Sequence, residues 1–71
     1  MKVTIIGAGN IGGAVARGLM AANALPQENL TVVDLDESKL NELKAEYKSI
    51  NTAKDGHDAA SKSDVVILAV K

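Results

Sequence analysis

The chain has 71 residues, 46% of them hydrophobic, and eight basic against nine acidic residues leave a net charge of −1. That length allows one small domain, which buries only about 60% of the surface its unfolded form exposes. The balanced charge excludes the positive field that a nucleic-acid or membrane-surface partner requires. The absence of cysteine excludes disulfides, thiolate catalysis and thiolate-bound zinc.

Tyr47 is the sole aromatic residue, so a core must be built from Ile, Leu, Val and Ala. The lone His57 cannot make a metal site without acidic help, and no metal ligand is assigned. Residues 3–6 are too short for the core of a signal peptide, and no window approaches the ~20 apolar residues that span a bilayer. A cytoplasmic protein without a membrane partner is expected.

Residues 2–6 form a β-branched run that stops at Gly7, and they predict a strand buried on both faces of a parallel sheet. Beyond the turn, Ile11, Val15 and Leu19 recur at helical spacing, with Ala14, Gly18 and Ala22 beside them. They predict a helix whose small residues bring it close to the sheet. Gly13 and Gly18 are read as easing that packing. The helix should fade near Ala22 and Asn23, before Pro26.

A second strand is predicted over 30–33, ending at Asp34. Asp36 is a good N-cap for the next helix, with Glu37 in its first turn. Leu40, Leu43 and Tyr47 mark the buried side of that helix, and Glu42 and Glu46 lie among Lys39, Lys44 and Lys48 on the wet side. A third strand is placed at 49–52 and one or two helical turns within 55–62. Residues 64–70 are the clearest strand, with an unbroken apolar run at 65–70 such as an interior parallel strand requires.

Strands alternating with helices predict an α/β fold with right-handed crossovers. The expected architecture is a Rossmann-like parallel sheet in the order 3-2-1-4, half of a doubly wound domain. The chain stops directly after its fourth strand, so it is read as the N-terminal part of a larger domain, with that strand left as an exposed edge.

Gly7-Ala8-Gly9-Asn10-Ile11-Gly12 matches the G-x-G-x-x-G pattern. Its context is a strand before it and an amphipathic helix after it, as in dinucleotide-binding folds. In that reading Gly7 permits the tight turn, Gly9 lets a pyrophosphate approach the backbone, and Gly12 lets helix and strand pack closely. The helix N-terminus offers unpaired N–H groups and about half a positive charge, with the amides of Asn10 and Ile11 as donors. The plain alternative is that these glycines serve only a tight connection.

Asp34 follows Gly12 by twenty-two residues. An acid about 20 residues on, at the end of the second strand, accepts hydrogen bonds from the adenosine ribose. It would repel a 2′-phosphate and so favours NADH over NADPH. Asp36 is the alternative ribose contact, and a solvent-facing Asp34 that helps to cap the helix is the plain reading.

From Gly7 to Leu19 the chain resembles the start of the pyrroline-5-carboxylate reductases, as does Ser63-Asp64-Val65-Val66-Ile67-Leu68-Ala69-Val70-Lys71 at its end. Asn10 between the second and third glycines and the Ala24-Leu25-Pro26 connection fit as well. The resemblance implies hydride transfer from NAD(P)H to the C=N carbon of 1-pyrroline-5-carboxylate, giving L-proline. It implies cofactor contacts from Ile6, Gly7, Ala8, Gly9, Asn10 and Ile11, from the position of Asp34, and from Ala69, Val70 and Lys71 beside the nicotinamide ribose. The family's substrate pocket, catalytic hydroxyl and dimer interface lie in a C-terminal helical domain, so no catalytic residue is assigned in this chain.

Two departures stand out. Many family members carry Ser, Thr or an Asn-Arg pair where this chain has Asp34-Leu35, and some have an adenosine-touching Asn where Gly56 and His57 lie. His57 is read as an exposed loop residue, the alternative being that it stands in for that Asn. The competing functions are another oxidoreductase of similar fold, such as a 6-phosphogluconate-type enzyme or an F420-dependent NADP reductase, and a nucleotide-sensing regulatory domain.

Overall fold

Four consecutive β-branched residues, Val-Thr-Ile-Ile, make β1 (Val3–Ile6) suited to the middle of a sheet, where stiff side chains pack on both faces. The structure is a computed structural model that describes residues 1–69. β1 pairs in parallel with β2 (Leu30–Val33) on one side and with β4 (Val65–Leu68) on the other. β3 (Asn51–Ala53) lies beyond β2, giving the order β3-β2-β1-β4. The helices are α1 (Asn10–Ala21), α2 (Glu37–Glu46) and the short α3 (His57–Ser61), and one 3-10 turn (Gln27–Asn29) leads into β2. The α/β class, the parallel arrangement and the order 3-2-1-4 are those expected.

The register aligns Val3 with Leu30 and Ile5 with Val32. These four share the face covered by α1 and α2, where they meet Ala16, Met20, Leu40, Leu43 and Ile50 in one cluster. Thr4 points to the other face and is fully buried, with its Oγ1 2.5 Å from Ser63 Oγ. Asp36 caps α2 as expected, its carboxylate accepting from the Ser38 amide at 3.0 Å and the Ser38 hydroxyl at 2.6 Å. Leu40 and Leu43 are buried, and Tyr47 is half-buried against the cluster.

Some expectations change. The buried side of α1 is Gly12, Gly13, Ala16 and Met20. Val15 and Leu19 sit at its rim, and Ile11 is 64% exposed. Gly12, Gly13 and Ala16 keep the first turns of α1 close to the sheet, and Met20 packs into the core nearer the helix's end. Gly13 does lie in that contact, whereas Gly18 is exposed, and a Cβ there would meet nothing within 4 Å. Glu46 pairs with Arg17 of α1 at 2.7 Å rather than with the lysines of its own helix.

β3 begins at Asn51, two residues later than expected, because Ile50 is taken into the core and pairing with Thr31 starts at Asn51. β4 is the sheet's edge among the described residues, with Val66 41% and Leu68 71% exposed. Val70, placed in this strand by its sequence, lies outside the described residues. None of the described helices is long and apolar enough to cross a membrane.

Candidate functional site

The C-terminal ends of the strands converge on one crevice, because the ladder runs one residue past each of them. The Gly7 amide donates to the Val33 carbonyl (2.7 Å), the Asp34 amide to the Ala53 carbonyl (3.1 Å) and the Ala69 amide to the Ile6 carbonyl (2.8 Å). From β1 the sheet continues to β2 on one side and to β4 on the other, so the crevice lies at the topological switch point where open α/β sheets bind ligands.

The three glycines of the turn have separate reasons to be glycine. Gly7 has φ 108°, a left-handed conformation that L side chains rarely adopt. A Cβ on Gly12 would lie 1.6 Å from the Gly7 carbonyl oxygen, so any side chain there would push α1 off the turn. Gly9 is the N-cap of α1 with φ −72°, where other residues are tolerated, and a Cβ built on it meets nothing within 4 Å. Among the described residues, neither backbone strain nor packing therefore explains Gly9. Among the described residues no side chain caps α1 and its first turn holds no acid, so the leading amides at Asn10 and Ile11 have no protein partner there. A diphosphate fits such a cradle.

Asp34 is fixed by two backbone donors. Its Oδ2 accepts from the Ala8 amide at 2.7 Å and its Oδ1 from the Asp36 amide at 2.8 Å. These bonds, the Asp36 amide first and the Ala8 amide second, hold the carboxyl below its ordinary value. Each oxygen keeps further lone-pair capacity for a second donor. The Asp36 carboxylate is engaged by Ser38, which also lowers its pKa.

Two cavities share Gly7 and Asp34. The larger, about 340 Å³, is lined by Gly9, Asn10, Ile11, Lys39 and Ala69 as well. The other, about 290 Å³, adds Ile6, Val33, Leu35 and Lys54. Seven of the residues expected from the sequence, Ile6, Gly7, Gly9, Asn10, Ile11, Asp34 and Ala69, thus line one cavity or both. Ala8 contributes its amide to Asp34 and lines a neighbouring cavity of about 280 Å³ with Gly9, Asn10 and Lys39, whereas Gly12 lies beneath the turn. Val70 and Lys71 lie outside the described residues.

The sequence reading missed Leu35, Lys39 and Lys54. Leu35 is 83% exposed, and an apolar residue directly after a strand-ending acid was its available signal. Lys39 and Lys54 gave none, because only the fold brings the start of α2 and the end of β3 to the same crevice. Gly56 sits against Val33 and Ile6, where a Cβ would come within 3.2 Å of a Val33 methyl. His57 is exposed, as expected, but opens α3.

The family described as NADP oxidoreductase coenzyme F420-dependent matches residues 2–71. The chain is 42% identical over 69 residues to the pyrroline-5-carboxylate reductase of Corynebacterium melassecola, covering 97% of this chain and 25% of that protein. It is 39% identical over 70 residues to the enzyme of that name from Vibrio alginolyticus, covering 99% of this chain and 25% of the relative. The reductase of Methanosarcina acetivorans is 36% identical over 70 residues, covering 99% and 26%. The chain thus spans about a quarter of the length of these relatives.

Proposed function

Since the chain belongs to the NADP oxidoreductase coenzyme F420-dependent family, we propose that it is the dinucleotide-binding portion of a cytoplasmic pyrroline-5-carboxylate reductase, with the imine substrate and the dimer contact held by a further helical domain. The observation that carries the cofactor reading is Gly9, beside which a side chain would meet no described atom within 4 Å, at the opening of a helix whose leading amides are those of Asn10 and Ile11. Identities of 36–42% along nearly the whole chain support the choice of enzyme.

In this reading the helix-terminal amides bind the diphosphate. The cavity of Ile6, Val33 and Leu35 takes the adenine, and Ala69, with Val70 and Lys71 beyond it, borders the nicotinamide ribose. Reduced nicotinamide, when bound, supplies the hydride for the imine carbon. Asp34, already oriented by Ala8 and Asp36, accepts from the adenosine ribose hydroxyls and disfavours a 2′-phosphate by like-charge repulsion.

The test is turnover of 1-pyrroline-5-carboxylate to proline by the intact protein with NADH and with NADPH. No imine reduction, together with hydride exchange between NADPH and coenzyme F420, would instead favour an F420-dependent NADP reductase. Replacing Asp34→Ser should shift the ratio of NADPH to NADH affinity by about tenfold towards NADPH, read by calorimetric titration. An unchanged ratio removes Asp34 from the ribose site.

A further inference from the structure

The proposed adenosine site joins an acid that repels a 2′-phosphate to a chain whose family is described as NADP oxidoreductase. We propose that Lys54 resolves this opposition: it is the specificity-determining residue that admits a 2′-phosphate beside Asp34, exchanging its ion pair with Glu37 for the phosphate. The proposal rests on the dinucleotide reading above and adds to it the residue that makes cofactor choice a balance rather than an exclusion.

Its basis is register. β2 and β3 align Thr31 with Asn51, Val32 with Thr52 and Val33 with Ala53, and the Asp34 amide continues the ladder to the Ala53 carbonyl at 3.1 Å. The next step along each strand places Asp34 beside Lys54, on neighbouring strands that run ~4.8 Å apart. Both residues line the same cavity. The Lys54 ammonium is turned outward to Glu37 Oε1 at 3.0 Å, and both side chains of this pair are more than half exposed.

An exposed pair of this kind is weak and readily broken. A phosphate dianion set next to Asp34 offers the ammonium a stronger partner, and the four-carbon stem lets the charge swing inward. Glu37 therefore acts as a competitor that holds Lys54 away when no 2′-phosphate is present. Lys39, on the other side of Asp34, lines the larger cavity with Gly9 and Asn10, the diphosphate side.

The test is calorimetric titration of the intact protein with NADH and NADPH for the wild type, Glu37→Gln, Lys54→Met and Lys39→Met. Glu37→Gln frees the ammonium and should raise the NADPH-to-NADH affinity ratio about fivefold, and Lys54→Met should lower it by about as much. Lys39→Met should weaken both cofactors alike. A purely structural Glu37–Lys54 strut would move both of its variants in the same direction for both cofactors and leave the ratio at its wild-type value. That result, or a ratio that follows Lys39 instead, overturns the assignment of Lys54 while leaving the dinucleotide reading intact. Failure of the wild type to bind either cofactor removes both.

Discussion

Gly9 and Asp34 are the two residues on which the site turns, and they differ in what they do for the fold. Gly9→Val should lower NADH affinity by on the order of a hundredfold, because its branched side chain fills the approach to the helix amides. Its effect on stability should stay near 1 kcal/mol, the difference between a good and a poor N-cap. Titration and urea unfolding on the same sample separate the two effects. A variant that binds normally would return Gly9 to a role in the connection alone.

Asp34 is bonded as an anion, and its carboxyl is held below its ordinary value of 3.8. The sign follows from linkage: a depressed carboxyl contributes stability that is fully present above the unfolded-state value and is lost as pH falls through the folded one. Unfolding free energy should therefore be level from neutrality down to about pH 5 and decline below it. In Asp34→Asn this part of the acid limb should flatten. At neutral pH the same variant should lose about 1 kcal/mol, because an amide cannot accept from both Ala8 and Asp36. Denaturant melts at a series of pH values check both statements.

At the scale of elements, α1 explains why the turn was readable and the helix face less so. A glycine pattern between a strand and a helix is a local signal, and it placed Gly7 in the tight turn and Gly12 in the helix–strand contact, where the structure has them. The periodicity of Ile11, Val15 and Leu19 caught only the rim of the buried side: Val15 and Leu19 pack against the core from its edge, Ile11 is exposed, and the fully buried positions are Gly12, Gly13, Ala16 and Met20. The end of α1 was legible in Asn23, which takes φ 52° and donates to the Met20 carbonyl while Ala24 donates to that of Leu19, a Schellman closure. Gly18 has no such function. Gly18→Ala should raise stability by about 0.5–1 kcal/mol, since the exposed helix position accepts a methyl group without contact. A measured loss would mean that something else meets this face of the helix.

For the whole molecule, sheet order and layer arrangement were legible because alternating strands and helices leave few right-handed topologies open. The opposition of Asp34 and Lys54 was not, since those residues stand twenty positions apart in sequence and become neighbours only through the pairing of β2 and β3. The apolar run of β4 suggested an interior strand, yet no described strand pairs with its outer side. The 71-residue chain on its own should therefore associate through that edge as its concentration rises. Val66→Lys, placing a charge on the exposed strand, should suppress the association. Sedimentation velocity across a dilution series reads this directly, and a strictly monomeric wild type would count against it.

The pairing of Val3 with Val65 has a consequence for synthesis. β1 completes its second row of hydrogen bonds only with β4, which follows it by some sixty residues. At about 5–20 residues per second, β1 waits several seconds for β4. Through that interval its Val-Thr-Ile-Ile segment stands open on one flank, so nascent chains caught before residue 68 are the ones that chaperones should hold.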